Sequence, residues 1–386
     1  MLNIRRSCSH NAATPSSLLF SLFIFSMPDT LIPEQLLPDS FTRLAYQAFQ
    51  QGKQTFGLAH KTLLSRVRSV VSPIEPGSTQ SLSPQTLSLM KQRMDDLLEQ
   101  DWHDAEAGVY PTSLLFDNPW GDFFAYYPLV VLDTPNAWNR YKSGRHQEFE
   151  DDIDTSRYPS YYVQNFHHQT NGYLSEMSAN LYDLQVELLF NGTADAMRRR
   201  ILAPIKRYLD TLATAEQPPK ALDVACGTGR TLKMMRDAFP QLSLYGVDLS
   251  PTYLRKANQL LSQEAGMLPQ LIQANVETLP YLDNYFDLTV SVFLFHELPG
   301  AVRQTVIDEC YRVTRPGGLF VVCDSIQAVD SPELQPMMAN FPKLFHEPYY
   351  RHYMDDDITA RFAQAGFTVV EEYSHFMSKY WVARKA

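Results

Sequence analysis

A glycine-rich turn after an apolar run is the clearest candidate for chemistry in this chain. Residues 222–230 read Leu-Asp-Val-Ala-Cys-Gly-Thr-Gly-Arg. Glycines let a backbone approach a ligand closely, and the helix expected to follow offers free N–H groups and the positive end of its dipole. A tight strand–helix turn without a ligand is the alternative interpretation of this segment taken alone.

An acidic residue after the next predicted strand strengthens the case for a ligand. Residues 246–250 read Gly-Val-Asp-Leu-Ser, and Asp248 ends that strand. About 20 residues beyond the glycine turn, a carboxylate accepts hydrogen bonds from the ribose hydroxyls of a nucleotide cofactor. The alternative role for Asp248 is to cap the following helix. The two motifs together are compatible with NAD or with S-adenosylmethionine (SAM).

Three features favour SAM over NAD. The turn is not a complete G-x-G-x-x-G fingerprint, because position 232 is leucine. Asp223 lies inside the first predicted strand, where it could serve the amino group of the cofactor through the loop. Residues 273–280, Gln-Ala-Asn-Val-Glu-Thr-Leu-Pro, follow the third predicted strand as a polar turn suited to adenine. An NAD-dependent oxidoreductase is the runner-up.

The elements that position these motifs alternate between short apolar strands and amphipathic helices. Such alternation predicts an α/β fold, with a Rossmann-like, seven-stranded, mostly parallel sheet. The last two strands are joined by few residues, so the last strand is expected to be antiparallel. Strands are predicted at 221–225, 243–248, 271–274, 286–293, 319–323, 369–373 and 380–384, and helices at 229–239, 252–263, 301–313 and 356–365.

With these motifs in place, residues 220–324 resemble the class I SAM-dependent methyltransferases, in the small-molecule branch with the ubiquinone and menaquinone biosynthesis enzymes. The glycine motif of that family matches residues 223–229, and its ribose acid matches Asp248. Its segment after the fourth strand matches residues 287–298. Its Glu-x-x-Arg-Val-x-x-Pro-Gly-Gly signature matches residues 309–318. The resemblance covers roughly the C-terminal half.

The resemblance implies a SAM site and methyl transfer to a small molecule. Many members carry Asp where this chain has Asn275, which puts the adenine contact of that residue in doubt. Fold analogy alone does not establish function. The cofactor-binding residues implied are Asp223, Ala225, Cys226, Gly227, Gly229, Asp248, Leu249, Asn275, Val276, Glu277 and Phe293.

The acceptor side is predicted from three segments. His296 follows the fourth strand and is the candidate general base; orienting the cofactor or capping the next element is its alternative role. Two aromatic and histidine-rich runs, 161–173 and 345–353, are expected to shape the acceptor pocket or to pack structurally, and the repeated Phe-His-Glu triplet is interpreted as coincidence. No metal site is predicted, because adjacent histidines in an extended segment point to opposite sides. The predicted substrate residues are Tyr161, Tyr162, His167, His168, His346 and Tyr349.

The rest of the chain is divided by composition. Residues 1–26 are interpreted as a targeting peptide or as an extension upstream of a start at Met27. Residues 27–84 are predicted as helix and linker, 85–215 as a mostly helical, aromatic-rich extension forming part of the substrate mouth, and 216–386 as the SAM-binding domain. Within the extension, residues 101–165 are expected to be compact but rich in loops, and residues 194–213 to form one helix.

Composition narrows the possible partners. The chain has 386 residues, 45% of them hydrophobic, and a formal net charge of −10, which disfavours a nucleic-acid substrate. No integral membrane segment is expected, and the cysteine spacing predicts no disulfide framework. The expected location is the cytoplasm, or a plastid if residues 1–26 are a transit peptide. A non-catalytic SAM-binding protein remains an alternative.

Overall fold

Seven strands form one sheet in the computed structural model, with the order β3-β2-β1-β4-β5-β7-β6. Strands β1 to β5 pair in parallel, and β7 runs antiparallel to both β5 and β6. The predicted α/β fold with a mostly parallel sheet and an antiparallel last strand is confirmed. The strands are β1 Lys220–Val224, β2 Ser243–Asp248, β3 Gln270–Gln273, β4 Phe286–Val292, β5 Thr314–Ser325, β6 Phe367–His375 and β7 Ser378–Lys385.

The structure describes residues 39–71, 83–118, 120–212, 217–264 and 266–386. The chain divides into two compact units, 1–42 and 43–386, and only the start of one helix is described in the first. The predicted targeting segment 1–26 therefore lies outside the described residues. No helix among the described residues is long and apolar enough to cross a membrane.

Twelve α-helices are described in the same ranges. Six precede the sheet, and the helices after β1, β2 and β4 make the connections between parallel strands. The helices are α1 Asp39–Val71, α2 Pro84–Glu106, α3 Trp120–Ser143, α4 Glu176–Leu189, α5 Ala194–Arg199, α6 Leu202–Thr211, α7 Arg230–Ala238, α8 Pro251–Leu261, α9 Gly300–Val313, α10 Gln335–Phe345, α11 Tyr350–Met354 and α12 Ile358–Ala365.

Alternation along the strands buries apolar side chains on both faces of the sheet. Ala221 contributes to one core, with side chains of α6, α7 and α8. Its neighbour Leu222 contributes to the other, with side chains of α9 and α12. Because successive strand residues point to opposite faces, a strand buried on both sides is largely apolar, and β1 carries Ala221, Leu222 and Val224 beside the one buried acid Asp223.

Two expectations for the extension are wrong. Residues 101–165 contain the 24-residue helix α3 despite Pro128 and Pro135 within it. A proline inside a helix costs about 3 kcal/mol, and burial of α3 side chains such as Phe123 against α4 offsets that cost. The helix predicted at 194–213 is two helices, and Pro204 lies in the first turn of the second, where its missing N–H does least harm.

Buried ion pairs join this extension to the glycine turn. Arg230, the first residue of α7, donates from Nη2 to Asp195 Oδ2 at 2.5 Å. The other oxygen of Asp195 accepts from Arg198 Nη1 at 2.7 Å. All three side chains are buried. Helix α5 is thereby fixed against the start of α7, where the glycine turn ends.

Candidate active site

The glycine turn leaves the sheet with left-handed backbone at three positions. Ala225 has φ of +62°, Gly227 +53° and Gly229 +83°. Among the described residues, a Cβ added at Gly227 would have one neighbour within 4 Å, Tyr253 Cδ1 at 3.9 Å. Space is therefore open beside Gly227. At position 229, the left-handed backbone conformation explains the glycine.

Asp248 lies at the carboxyl end of β2, beside that turn. Its Oδ2 accepts from the Gly227 N–H at 2.9 Å, and its Oδ1 accepts from the Ser250 N–H at 2.8 Å. Burial raises the pKa of Asp248 to about 6, against the lowering effect of these backbone bonds. Asp248 thus holds the local turn, whereas the cap of the following helix, its alternative role, belongs to Ser250, whose hydroxyl accepts from the Tyr253 N–H at 3.2 Å. Each carboxylate oxygen keeps a further lone pair, so the same group can also meet ribose hydroxyls.

Asp223 is the least satisfied polar group near the turn. The residue is 1% exposed, and its Oδ2 has no hydrogen-bond partner among the described residues. Burial, and next the charge of Asp248, raise the pKa of Asp223 to about 8. An unpartnered buried carboxyl oxygen costs free energy, and a donor such as the amino group of SAM would satisfy it. The residues present therefore fit the implied cofactor.

The third-strand turn is closed by the extension. Asn275 Oδ1 accepts from the Glu277 N–H at 2.9 Å, and Asn275 Nδ2 donates to Glu277 Oε1 at 3.0 Å. The Tyr161 hydroxyl donates to the same Glu277 oxygen at 2.7 Å. Val276 is buried, and the Leu249 carbonyl accepts from Gln273 at 3.2 Å. Asn275 therefore organises the turn that the sequence predicts for adenine.

Phe293 and Cys226 lie at the ends of neighbouring strands. Phe293 has φ of +59°, and its ring stacks on Phe190 at 6.2 Å between centroids. Arg198 lies over the same ring at 5.7 Å. Cys226 is buried, and its N–H donates to the Val247 carbonyl at 2.9 Å. Both residues are at the carboxyl edge of the sheet, where open α/β folds bind ligands.

His296 is paired with a carboxylate that the sequence analysis missed. His296 Nδ1 lies 2.6 Å from Oδ1 of Asp324, the buried penultimate residue of β5. Burial lowers the pKa of His296, but the charge of Asp324 and this hydrogen bond outweigh it and raise the pKa to about 9. The raised pKa makes the neutral imidazole of His296 a stronger base. It also means that only a small fraction of the His296 side chains is neutral at pH 7. The role of general base stays a prediction.

The glutamates of both Phe-His-Glu triplets, Glu297 and Glu347, contribute to one cluster. Glu347 Oε1 lies 2.5 Å from His167 Nε2, and Glu297 Oε1 accepts from the Tyr173 hydroxyl at 2.5 Å. Ligand atoms of His167, Glu297 and Glu347 all lie within 4.8 Å of one another. Burial, and then the charge of Glu347, raise the pKa of Glu297. His296 borders this cluster, with Nε2 3.9 Å from Glu297 Oε1.

The other predicted substrate residues are distributed around this cluster. His168 Nε2 is 3.2 Å from the Leu344 carbonyl, and His346 Nε2 is 3.1 Å from Gln164 Oε1. Burial, and then neighbouring His146, lower the pKa of His168 to about 4 and that of His346 to about 3. Both imidazoles are therefore neutral at pH 7 and pack together with His146.

The two adjacent tyrosines lie on the cofactor side. Tyr161 contacts Glu277, and the charge of Asp248 acts on the buried hydroxyl of Tyr162, whose pKa is raised chiefly by burial. The hydroxyl of Tyr349 donates to the Tyr161 carbonyl at 3.4 Å. The structure thus brings Tyr161 and Tyr162 to the predicted cofactor residues rather than to His296.

Four residues of the site were missed as functional residues: Tyr173, Glu297, Asp324 and Glu347. Asp324 carried a usable signal, because it directly follows the predicted fifth strand and so falls at the ligand-binding edge. Tyr173 belongs to the predicted polar and aromatic run. The two glutamates, at equivalent positions in the repeated triplet, could have been noticed from the repeat alone.

The chain is similar to known methyltransferases. Residues 222–322 match the family model described as a methyltransferase domain. A demethylmenaquinone methyltransferase from Anoxybacillus flavithermus is 31% identical over 136 residues, 35% of this chain and 53% of that protein. An uncharacterized methyltransferase from Synechocystis sp. is 29% identical over 154 residues, 40% of this chain and 69% of that protein.

A solved SAM-dependent methyltransferase from Aquifex aeolicus aligns with a TM-score of 0.37 and 16% identity, over 48% of this chain and 89% of that chain. The chain spans about half the length of most of the first curated relatives it matches. Residues 222–322 form a methyltransferase domain. Within that class, the domain is similar to the demethylmenaquinone methyltransferases. These matches do not support the NAD-dependent alternative.

Proposed function

We propose that this protein transfers a methyl group from SAM to a small-molecule acceptor and releases S-adenosylhomocysteine. The observation that carries the proposal is the juxtaposition of two groups at the carboxyl edge of the sheet. The first group is Asp223 and Asp248, which lie beside the open turn at Gly227. The second group is His296 and Glu297, which follow the adjacent strand β4. Such an arrangement offers one place for a nucleotide cofactor and a neighbouring place for an acceptor.

The residues of the chain act mainly by positioning. When bound, SAM supplies a methyl group on a positively charged sulfur. Asp248 would hold the ribose, Asp223 the amino group, and the Asn275 turn the adenine. Positioning of this kind is worth up to about 7–11 kcal/mol in well-oriented reactions. His296 Nε2, on the far side of the ring from Asp324, is the proposed acceptor of a proton that the small molecule loses.

The acceptor is proposed to be an aromatic or hydrophobic molecule with an ionisable group. The polar cluster at His296 is bordered by aromatic rings, among them Tyr173, Tyr350 and Tyr353. Ligand sites of this type are largely apolar with a few placed polar groups. Relatives named for demethylmenaquinone, a quinone, support the same class of acceptor.

Calorimetric titration of the full chain with SAM, S-adenosylhomocysteine and NAD tests the proposal. We expect micromolar binding of both adenosyl ligands and none of NAD. The chain is then incubated with methyl-labelled SAM and a panel of hydroxylated quinones and phenols. Preference for NAD would overturn the proposal. Tight SAM binding without label transfer to any panel member would favour the non-catalytic SAM-binding alternative.

A further inference from the structure

Three potential metal ligands converge from three separate parts of the fold. His167 precedes α4, Glu297 follows β4, and Glu347 lies between α10 and α11. One ligand atom from each lies within 4.8 Å of the other two. The side chain of Glu347 is fully buried, and those of His167 and Glu297 are 17% and 15% exposed. Two carboxylates thus lie close together where little water reaches them.

The hydrogen bonds between these side chains leave one oxygen unsatisfied. Glu347 Oε1 pairs with His167 Nε2, and Glu297 Oε1 accepts from Tyr173. Glu347 Oε2 is buried and has no hydrogen-bond partner among the described residues. A buried carboxyl oxygen left without a hydrogen-bond partner destabilises the fold. A bound cation would satisfy it and would also screen the repulsion between the two carboxylates.

We propose that His167, Glu297 and Glu347 bind a divalent transition-metal ion such as Mn²⁺ or Zn²⁺. The donor set is one imidazole nitrogen, which suits Zn²⁺, and two carboxylates, which suit Mn²⁺. The His167 Nε2 that now pairs with Glu347 would become a ligand once it is unprotonated. The sequence predicts no metal site, because His167 and His168 would not share an ion. In the proposed site, the other ligands of the ion come instead from distant segments of the chain.

A supporting contact orients one of the ligands. The Tyr173 hydroxyl donates to Glu297 Oε1 at 2.5 Å, and its ring meets that of His167 edge-on at 6.2 Å between centroids. Outer-shell hydrogen bonds of this kind fix metal-binding carboxylates in place, and their loss commonly lowers metal affinity 10- to 100-fold.

The neighbouring histidines are a poorer site for the same ion. The rings of His146 and His346 stack with centroids 3.7 Å apart and planes 19° from parallel. Stacked imidazoles direct their in-plane lone pairs outward rather than toward a shared ion. His168 Nε2 and His346 Nε2 also lie within hydrogen-bond distance of Leu344 and Gln164. These three histidines therefore serve as a matched comparison.

The site would give the proposed function an acceptor-binding ion. Three protein ligands leave coordination positions free, as in catalytic metal sites. His296 Nε2 lies 3.9 Å from Glu297 Oε1, so the ion would lie beside the proposed acceptor site. The free coordination positions of the ion would bind an acceptor with two adjacent oxygens, such as a hydroxyl beside a carbonyl. This assignment rests on the proposed function. Such an oxygen pair binds a metal through both atoms.

Metal titration of the full chain, stripped with a chelator and dialysed, tests the site. We expect one Mn²⁺ per chain by loss of the electron paramagnetic resonance signal of free Mn²⁺, and one Zn²⁺ by calorimetry. The variants E347Q and H167Q should each weaken binding at least ~10-fold. H346Q should bind the ion as the wild type does. Circular dichroism and SAM affinity establish that each variant is folded.

Two results would overturn the metal site. One is a wild-type chain that binds neither ion. The other is binding lost in H346Q and retained in H167Q, which would assign the ion to the stacked histidines. The SAM titration is independent of the metal titration. Failure of SAM binding with intact metal binding would count against the proposed function, and the reverse result would count against the metal site alone.

Discussion

Asp248→Asn separates the turn-holding role that the structure shows for this carboxylate from its proposed role in binding ribose. The wild-type side chain accepts from the N–H groups of Gly227 and Ser250 at 2.9 and 2.8 Å. In the variant, one oxygen becomes an NH₂ group and faces one of these donors. We expect the free energy of unfolding to fall by about 1–3 kcal/mol, since one buried N–H loses its acceptor.

The effect on the cofactor is larger and is measured separately. A hydrogen bond to a charged group is worth about 1.5–3 kcal/mol. Since about 1.4 kcal/mol corresponds to tenfold in affinity, loss of one ribose bond should weaken SAM binding roughly 10- to 100-fold. Calorimetric titration of the variant with SAM and S-adenosylhomocysteine measures this change.

Asp287→Asn is the matched control. Asp287 is buried like Asp248 and accepts from the Lys220 N–H at 2.7 Å, at the opposite end of β1. Urea unfolding should show a comparable loss of stability in both variants, whereas only Asp248→Asn should lose SAM affinity. Equal affinities in the two variants, within about twofold of wild type, would refute the assignment of Asp248 to the ribose and leave it as a residue that only holds the turn.

Three further predictions follow from buried polar contacts. Asp101→Asn should lower the free energy of unfolding by about 3–5 kcal/mol in urea titrations, since it leaves buried Arg199 uncompensated; a loss below ~1 kcal/mol would contradict this. Because burial raises the pKa of Asp223 to about 8, the folded chain keeps a proton that the unfolded chain loses, so the wild type should lose stability as pH rises from about 4 to 8 and Asp223→Asn should not. Parallel pH profiles of urea unfolding for the two proteins would contradict this prediction. Tyr161→Phe should weaken SAM binding several-fold, because it removes one of the two hydrogen bonds that hold Glu277 Oε1 in the turn; unchanged calorimetric affinity would place Tyr161 outside the cofactor site.

The sheet could be predicted from sequence because its signals are local. A buried strand reads as a short apolar run, and Gly227 and Gly229 mark where β1 ends and α7 begins. The strand boundaries of β2 match those predicted. In contrast, β5 begins five residues earlier than predicted, at Thr314. Thr314 already pairs with Phe286 of β4, before the turn residues Pro316–Gly318, and the pairing resumes at Leu319. Pairing of this kind depends on the neighbouring strand and is not visible in one segment.

Helix α3 and the polar cluster could not be predicted for a different reason. Pro128 and Pro135 are ordinarily helix breakers, and tertiary packing, such as that against α4, offsets them. His167 and Glu347 are 180 residues apart in sequence, and their contact depends on the insertion after β5 meeting the segment before α4. Local spacing contains no information about such a contact.

The residues that meet at the acceptor side lie largely outside the part of the chain that matches the family. The match ends at residue 322, whereas His167, Tyr173 and Glu347 lie before or after it, and Asp324 lies just beyond it. The matched domain can supply Asp223 and Asp248 to the cofactor without specifying what receives the methyl group. Choice of acceptor should therefore depend on the extension and on the insertion after β5.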